Sequence, residues 1–450
     1  MSIVLDGELK SSKYNIFVDD NDSLLIFNSL TKKTIAICNA NKKRIKSAIE
    51  TGNYSYLTEN EKDILRQMGF LVDINEDESR TALFEYNRQV YNSSELNLVI
   101  IPTMFCNFRC VYCPQPHRPG EMDDTVIESI LKFIKRNIYQ YKKIFIEWFG
   151  GEPLLKKDKI IKIMQEIKSI CNAHKTILIS SMTTNGYELD LDTFEKLVQN
   201  RVMFYQISID GNQYTHNRSR PHISNSDSFE RIITNLQNIR KNSSHNHFVI
   251  GVRINVSPDN FDIIDSLIEY YQDTFSNDKR FQLMWQWVRD WGGNSENKSI
   301  RKKLKSTETI CKEFYKLCLD KGIKSVDYMS CRTGLAICEA CKLHGYVINY
   351  NGNIYKCAMM LDNDELESNN LVGKLLPDGK MELSHYKLAN WMVPKRLEER
   401  CLDCVHYPIC MGFPCPLSLN FKEKKICLVD KNLSDMHIRN IKLHQTITIL

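Results

Sequence analysis

The feature that most constrains this sequence of 450 residues is the uneven placement of its 16 cysteines. Three lie between Cys106 and Cys113, and nine lie between Cys331 and Cys427. In a cytosolic chain of this size, cysteines clustered in this way indicate metal binding rather than disulfides. The sequence is therefore expected to fold around metal in two separate regions.

The composition excludes several classes of protein. Hydrophobic residues make up 42% and charged residues 26%, which is ordinary for a globular fold and excludes a disordered chain. The net charge of +5 is small, so neither nucleic acid nor an anionic membrane is expected as the main partner. The apolar runs are too short to span a membrane, and Met1 to Lys10 lack an apolar signal core. We therefore expect a cytoplasmic protein.

Three segments differ in their pattern of residues. Residues 1–92 predict a small α+β module with short strands, a helix capped by Thr58, and an acidic linker at Asn75 to Ser79. In residues 93–320 six predicted strands each precede a predicted helix, which indicates an α/β fold with a parallel sheet. A partial (β/α)6 barrel of the TIM type is its natural closure, with the active site at the carboxyl ends of the strands. Residues 321–450 are rich in Cys, Gly, Pro and Asn and need bound metal to hold a fold.

The first cluster has the order Cys106-x3-Cys110-x2-Cys113 and follows the first strand of the predicted barrel. Three thiolates on one short loop can hold three irons of a [4Fe–4S] cluster and leave the fourth iron open. A structural zinc site would normally need a fourth protein ligand. The spacing therefore favours an iron–sulfur cluster that takes part in catalysis.

A second element, Gly150-Gly151-Glu152-Pro153, comes just after the second predicted strand. Its glycines let the backbone approach a ligand closely, and the carboxylate of Glu152 suits an ammonium group. Alone, such a turn is also typical of an ordinary strand-to-helix connection. One strand along from the cysteine loop, it becomes a specific signal.

Together these elements resemble the radical S-adenosylmethionine (SAM) superfamily over roughly Leu96 to Asp320. The resemblance implies that Cys106, Cys110 and Cys113 hold a [4Fe–4S] cluster whose open iron is chelated by SAM. It also implies that the Gly150 to Pro153 turn binds the amino group of SAM and that Tyr112 lies near the adenine. Reductive cleavage of SAM would then give a 5′-deoxyadenosyl radical that abstracts a hydrogen from the substrate.

Residues further along the chain support the same resemblance less strongly. Ser208 and Asp210 end the fourth strand, where they are expected to contact the ribose or line the cavity. Arg220 belongs to a His-Asn-x-x-Arg-Pro element similar to the family's HDxxRP, and it is a further candidate for cofactor binding. No side chain is assigned a catalytic role.

The second cysteine region resembles the SPASM extension of radical SAM enzymes, which carries two auxiliary [4Fe–4S] clusters. By that resemblance Cys401, Cys404, Cys410 and Cys427 would hold the distal cluster, and Cys341, Cys357 and Cys415 the nearer one. Its fourth ligand is Cys338 or Cys331, with Cys338 preferred because it is closer to Cys341 in sequence. Four residues separate Cys410 from Cys415 where the family usually has three. Structural zinc sites are the alternative.

The resemblance also implies the substrate. SPASM enzymes mostly modify peptides, and the N-terminal module is similar to the winged-helix domain that binds a leader peptide as an added strand. The leading hypothesis is a maturase of a ribosomally made precursor peptide, which forms a thioether, a carbon–carbon cross-link or an epimerised residue. Flavodoxin or ferredoxin would supply the electron.

Two other functions are open. An anaerobic sulfatase-maturing enzyme makes formylglycine, but that family has an Asp directly after the cysteine matching Cys357, where this chain has Ala358. A metal-bound scaffold that only binds peptides is the second alternative. The cysteine loop together with the Gly150 to Pro153 turn argues against it.

Overall fold

The computed structural model describes residues 8–20, 23–115, 117–224, 226–257, 260–288, 307–323, 338–359, 361, 369–392, 399–412, 416, 434–444 and 448–450. The strands are, in chain order, β1 (Leu9–Ser11), β2 (Asn15–Asp20), β3 (Ser23–Asn28), β4 (Thr34–Cys38), β5 (Leu71–Asp73), β6 (Glu95–Ile100), β7 (Lys143–Trp148), β8 (Ile177–Thr184), β9 (Val202–Ser208), β10 (Val249–Val256), β11 (Phe281–Trp287), β12 (Gly345–Ile348), β13 (Asn353–Tyr355), β14 (Leu371–Leu375), β15 (Met381–Leu383) and β16 (Thr448–Ile449). The described α-helices are α1 (Asn39–Thr51), α2 (Glu59–Gln67), α3 (Glu78–Val90), α4 (Asp124–Asn137), α5 (Lys157–His174), α6 (Leu191–Gln199), α7 (Gln213–Ser219), α8 (Ser228–Asn242), α9 (Ile264–Phe275), α10 (Thr307–Asp320), α11 (His385–Met392), α12 (Glu399–Leu402), α13 (Tyr407–Cys410) and α14 (Ser434–His444).

The chain divides into two compact units. The first consists of Met1–Tyr91, Leu319–Cys338 and Pro394–Leu450, and the second of Asn92–Cys318 and Glu339–Val393. The second unit contains a ten-stranded sheet in the order β11-β10-β9-β8-β7-β6-β12-β13-β14-β15. Strands β6 to β11 are parallel, and a helix follows each of them, which confirms the predicted α/β fold with its parallel sheet. The predicted three-domain division stays a prediction.

Successive side chains along the strands of this sheet alternate between two environments. On β7, Ile144, Ile146 and Trp148 are buried, whereas Phe145 and Glu147 are half-buried. Successive side chains of a strand point to opposite faces, so one face packs tightly and the other lines a more open space. That more open face places polar side chains inside the partial barrel.

Strand β12 adds to the barrel sheet from far along the chain. It pairs in parallel with β6, where Val347 lies opposite Val99, and it leads into the antiparallel strands β13, β14 and β15. Val99 and Val347 also share an apolar cluster with Met104 and Tyr355. The stem of the loop that carries Cys106 therefore packs against this later segment.

The first unit is built on a four-stranded sheet in the order β16-β4-β3-β2. One face of the sheet shares a core cluster with helices α1 and α2, and the other shares a cluster with Ile409 of α13 and with Ile438 and Ile441 of α14. Residues from late in the chain are thus part of the core of this N-terminal module.

Helix α2 begins as the sequence predicts. Thr58 accepts a hydrogen bond from the backbone of Glu61, whose carboxylate accepts one from Thr58, which forms a capping box. The guanidinium of Arg44, which donates to both oxygens of Glu61, is the main reason that the pKa of this carboxyl falls to about 2. Because the folded-state pKa lies below the ordinary 4.5, this stabilisation is present above pH 4.5 and is lost as the pH falls toward 2.

The predicted acidic linker at Asn75 to Ser79 is wrong in its second half. Helix α3 starts at Glu78 with Asp77 as its N-cap, and the side chain of Asp77 accepts from the backbones of Ser79 and Arg80. Acidic residues at a helix start satisfy its unpaired N–H groups, so the same composition fits a helix start as well as a linker.

None of the helices within the described ranges is long and apolar enough to cross a membrane.

Replacement of the capping residue tests the fold of the first unit. Thr58→Ala removes the side-chain acceptor at the start of α2, so we expect opening of this helix to become easier by about 1 kcal/mol, or about fivefold in amide exchange rate. Hydrogen exchange measured over residues 59–67 checks this result. The matched control is Thr51→Ala, because Thr51 is exposed at the end of α1 and its hydroxyl donates to Ser47 of the same helix. Equal exchange in the two variants would contradict the capping role.

Candidate functional site

The three cysteines of the first motif lie together on the loop after β6. Cys106 is buried, and Cys110 and Cys113 are half-buried. The backbone N–H of Phe108 donates to the sulfur of Cys106 over 3.3 Å. Their thiols are close enough for a charge on one to raise the pKa of its neighbours. The sequence motif is therefore one group of thiols in space.

The chemistry of these thiols fits a metal cluster. Burial raises the pKa of all three, that of Cys110 to about 12, while the guanidinium of Arg220 acts in the opposite direction on Cys110 and Cys113. Buried thiols ionise only when a cation offsets the loss of solvation. Within the described ranges no three His, Cys, Asp or Glu side chains are close enough to hold one metal ion. Three thiols on one loop suit a cluster in which each thiol binds its own iron.

The Gly150 to Pro153 turn packs directly on the cysteine loop. Its backbone N–H groups at Gly151 and Glu152 donate to the carbonyls of Thr103 and Phe105 over 3.1 and 2.9 Å. A Cβ at Gly151 would lie only 2.2 Å from the carbonyl oxygen of Phe105, and Gly150 has a φ of +131°. Only glycine fits these two positions, so the turn and the loop form one surface.

The carboxylate of Glu152 links this turn to the end of the next strand. It accepts hydrogen bonds from the backbone of Leu154 at 2.9 Å, from the hydroxyl of Thr184 at 2.6 Å and from the backbone of Asn185 at 2.7 Å. The side chain of Asn185 donates in turn to Asn107 of the cysteine loop over 2.7 Å. Three of the four acceptor positions of the carboxylate are thus filled by the protein itself.

These contacts give Glu152 a structural task that the sequence analysis did not predict. The predicted contact between its carboxylate and an ammonium group stays a prediction. The side chain is 1% exposed, and burial raises its pKa to about 7 against the opposing effect of its hydrogen bonds. Asn107 was missed as well, although its place directly after Cys106 is the signal that could have found it.

Four of the predicted cofactor-binding residues meet in one buried polar cluster. The hydroxyl of Tyr112 donates to the carboxylate of Asp210 and accepts from Arg220 over 2.6 Å. Asn255 of β10 joins them, donating from its side chain to Tyr112 at 3.0 Å, to Asp210 at 3.0 Å and to Ser208 at 3.1 Å. The structure thus brings Tyr112, Ser208, Asp210 and Arg220 together, although their roles toward a cofactor stay predictions.

Two buried nitrogen donors beside this cluster lack a hydrogen-bond partner. Among the described residues, Nε of Arg220 and Nε2 of His216 are buried without a hydrogen-bond partner. Nδ1 of His216 accepts from the backbone of Asp210 over 3.3 Å, and burial holds the pKa of this imidazole well below its usual value. Buried donors without partners are costly in a folded protein, so these atoms fit a site that binds a polar ligand.

Other polar side chains occupy the half-buried face of the barrel strands. Glu147 accepts from the hydroxyl of Thr183 over 3.5 Å, and burial and then the charge of Glu339 raise its pKa to about 7. Arg253 of β10 donates to Asn255 over 3.0 Å. The interior of the barrel is therefore polar enough to hold a hydrogen-bonding substrate.

The cysteines predicted for auxiliary clusters fall in both units. Cys341 is buried just before β12, Cys338 is exposed, and the backbone of Cys357 after β13 donates to the side chain of Asn370 over 2.9 Å. In the first unit, the charges of Cys401 and Cys410 both raise the pKa of Tyr407, which puts these two thiols near the same ring. Cys404 is half-buried on the same stretch. Cys331, Cys415 and Cys427 lie outside the described residues.

The chain is similar in sequence to known proteins. Residues 100–270 match the radical SAM superfamily. The cysteine-type anaerobic sulfatase-maturating enzyme of Clostridium novyi (strain NT) is 22% identical over 344 residues, which are 70% of this chain and 86% of that enzyme.

Two solved structures have a similar fold. Native anSMEcpe with bound AdoMet and Cp18Cys peptide has a TM-score of 0.54 at 18% identity, covering 78% of this chain and 96% of that one. Streptococcus suis SuiB bound to precursor peptide SuiA has a TM-score of 0.52 at 14% identity, covering 94% and 100%.

The matched segment contains the cysteine loop, the Gly150 to Pro153 turn and the buried polar cluster, and a radical SAM domain implies the use of SAM and a [4Fe–4S] cluster. Residues 100–270 are therefore a radical SAM domain, and the chain is an enzyme.

Proposed function

We propose that this enzyme is a cytoplasmic peptide maturase that modifies a ribosomally made precursor. The observation that carries the proposal is the cysteine loop, which Asn107 connects to Asn185 at the end of β8, where Asn185 and Thr184 both donate to the carboxylate of Glu152. The bound cluster and SAM supply hydrogen-atom abstraction from an unactivated carbon. The protein has to position substrate and cofactor and keep water away.

The side chains around the cysteine loop have different roles in this positioning. Cys106, Cys110 and Cys113 would hold the irons of the cluster, and the guanidinium of Arg220 favours the ionised thiolate form of Cys110 and Cys113. The carboxylate of Asp210 keeps Tyr112 and Arg220 in place. Asp210, Arg220 and Asn255 of the polar cluster are buried, so they are shielded from bulk water.

A peptide substrate is supported by both units. The polar interior of the barrel offers hydrogen bonds to a peptide backbone, and the sheet of the first unit is of the kind that accepts an added strand. SuiB, whose fold is similar, was crystallised with its precursor peptide SuiA. We propose that a leader segment binds the first unit while the residue to be modified enters the barrel.

The later cysteines complete the proposal. One auxiliary [4Fe–4S] cluster would be held by Cys341, Cys357 and Cys415 with Cys338, the preferred fourth ligand, or Cys331. The other would be held by Cys401, Cys404, Cys410 and Cys427, as in a SPASM domain. A fully ligated cluster suits electron transfer, so one of them would accept the electron that the substrate radical loses when it is oxidised. A flavodoxin or ferredoxin would deliver the electron that starts the reaction.

The second candidate is sulfatase maturation. It is favoured by the Clostridium novyi relative, which this chain matches over 86% of that enzyme's length. Ala358 argues against this function. The sulfatase-maturing family has an Asp at this position, and the methyl side chain of alanine cannot accept a proton. The carbonyl of Ala358 accepts from the side chain of Gln115 over 3.0 Å, and its methyl group packs against the apolar cluster that contains Met104 and Tyr355.

Replacement of one cluster cysteine tests the radical chemistry. Cys110→Ala removes one iron ligand, so we expect 5′-deoxyadenosine formation under anaerobic reducing conditions to be lost. The matched control is Cys171→Ala, because Cys171 is buried on α5 and packs there as a small apolar residue. Liquid chromatography of the product checks both variants, and full turnover by Cys110→Ala would refute the cluster assignment.

Metal analysis tests the auxiliary clusters. Three cubane clusters predict about 12 irons per chain, with matching sulfide, in anaerobically reconstituted protein. Elemental analysis of iron and zinc, with a sulfide assay, measures this directly. About 4 irons with 1–2 zincs would keep the radical chemistry but refute the auxiliary clusters in favour of structural zinc.

A third variant tests the brace formed by Glu152. In Glu152→Gln the side-chain amide points an N–H at the backbone N–H of either Leu154 or Asn185. A buried mismatch of this kind costs about 1–3 kcal/mol, so we expect about half or less of the iron of the SAM-binding cluster to survive desalting.

The control for this variant is Glu147→Gln. Glu147 also has a pKa raised to about 7, but its contact is with the hydroxyl of Thr183, and a glutamine oxygen can still accept that bond. Iron per chain and the electron paramagnetic resonance of the reduced cluster are measured in both. Equal loss in the two variants would mean that Glu152 does not brace the loop.

A further inference from the structure

One face of the first unit's sheet is covered by a segment that carries three cysteines, residues 399–412, here called the late cysteine segment. Val18, Leu25 and Phe27 on this face are buried. They share an apolar cluster with Ile409 of α13, and the side chain of Cys410 packs against the same cluster. A predicted metal ligand therefore contacts the apolar core of the N-terminal module.

Hydrogen bonds connect the late cysteine segment to its neighbours. The hydroxyl of Ser29, just after β3, donates to the carbonyl of Val405. His406 is 2% exposed, and its Nε2 shares a hydrogen bond of 2.9 Å with the hydroxyl of Ser434, the first residue of α14. The segment therefore connects the N-terminal sheet to α14, which covers the same face of that sheet.

The three cysteines lie on one compact turn around a buried ring. The backbone N–H of Cys404 donates to the carbonyl of Cys401 over 3.1 Å, and that of Tyr407 donates to the carbonyl of Cys404 over 2.8 Å. Tyr407 is 1% exposed, and burial and then the charges of Cys401 and Cys410 raise its pKa. The turn thus gathers thiols in a way that fits a shared metal site.

The secondary structure of the late cysteine segment is too short to hold this arrangement by itself. Helices α12 and α13 have four residues each. An isolated helix needs about 12 residues or more to be even marginally stable in water. Metal bound by thiols supplies the folding free energy that such a segment lacks, and many metal-binding segments are unfolded without it. The contacts of this segment with the sheet therefore depend on what holds the thiols.

We propose that metal held by Cys401, Cys404 and Cys410 controls the fold of the first unit. Loss of the metal releases the late cysteine segment and opens the apolar face of the sheet. The proposal rests on the peptide-maturase function above, which places a metal cluster at these cysteines, and adds a means of regulation to it. The supply of metal then decides whether the sheet proposed to bind the leader is folded.

Hydrogen exchange of backbone amides in the full chain tests this control. In anaerobically reconstituted protein, Cys404→Ala removes one metal ligand, so we expect the amides of β2 and β3 to exchange about tenfold faster or more. The matched control is Cys38→Ala, because Cys38 is a half-buried cysteine of the same unit outside the metal motif, and its sulfur accepts from the side chain of Asn41 at 3.7 Å. Exchange in this control should stay within about twofold of the parent.

The same measurement on metal-free protein separates the effect of the metal from that of packing. After chelation in the presence of a reductant, the parent and Cys404→Ala both lack metal, so their β2 and β3 amides should exchange alike. An equal difference between the two chains with and without metal would mean that Cys404 acts by packing, which would overturn the proposal.

A second variant tests how the metal acts on the sheet. Ile409→Ala keeps every thiol, so we expect the iron content to stay unchanged. The apolar contact between the late cysteine segment and the sheet is lost, so the amides of β2 and β3 should exchange about tenfold faster even with metal bound. Unchanged exchange in this variant would overturn the proposal.

The parent chain alone covers the case in which a variant does not fold. Iron and sulfide added back to its metal-free form should restore slow exchange in β2 and β3. Equal exchange before and after loading would overturn the proposal but leave 5′-deoxyadenosine formation and the iron count unchanged. Those two measurements test the proposed function, so the two failures stay distinguishable.

Discussion

The buried carboxylate of Glu152 is the interaction on which the rest of the site depends. It connects the turn after β7 to the end of β8, and Asn185 extends the connection to Asn107 beside the first cysteine. Three thiols on a loop would otherwise have no fixed spacing, because a loop loses its conformational freedom only when the protein supplies contacts. These hydrogen bonds hold the cysteine loop without involving its thiols.

Burial of charge is the second organising constraint. Arg220 is 6% exposed and lies within 3.8 Å of the carboxylate of Asp210, which is itself fully buried. Charges this deep are stable only as a hydrogen-bonded group, and Tyr112 and Asn255 supply the remaining partners. The buried polar cluster therefore acts as one unit, and a change in any of its members alters the others.

The sequence predicted the alternating strands and helices of the barrel and the cysteine loop, because repeated apolar runs and close ligand spacing are local signals. It did not predict the role of Asn107, since a hydrogen bond to Asn185 depends on how two distant loops meet. The start of α3 was missed because acidic residues favour linkers and helix N-termini alike. The pairing of β16 with β4 joins opposite ends of the sequence through two residues, which is too short for any pattern to reveal.

Strand β6 lies between β7, which comes next among the strands, and β12, which follows some two hundred and forty residues later. During synthesis the chain emerges from its N-terminal end, so β6 can pair on one side only until residues 345–348 have left the ribosome. Non-local pairing of this kind is slow because a long loop must close first. The open edge next to the cysteine loop is thus the part of the barrel that is completed last, and a chaperone that binds exposed strand edges would act on it at that stage.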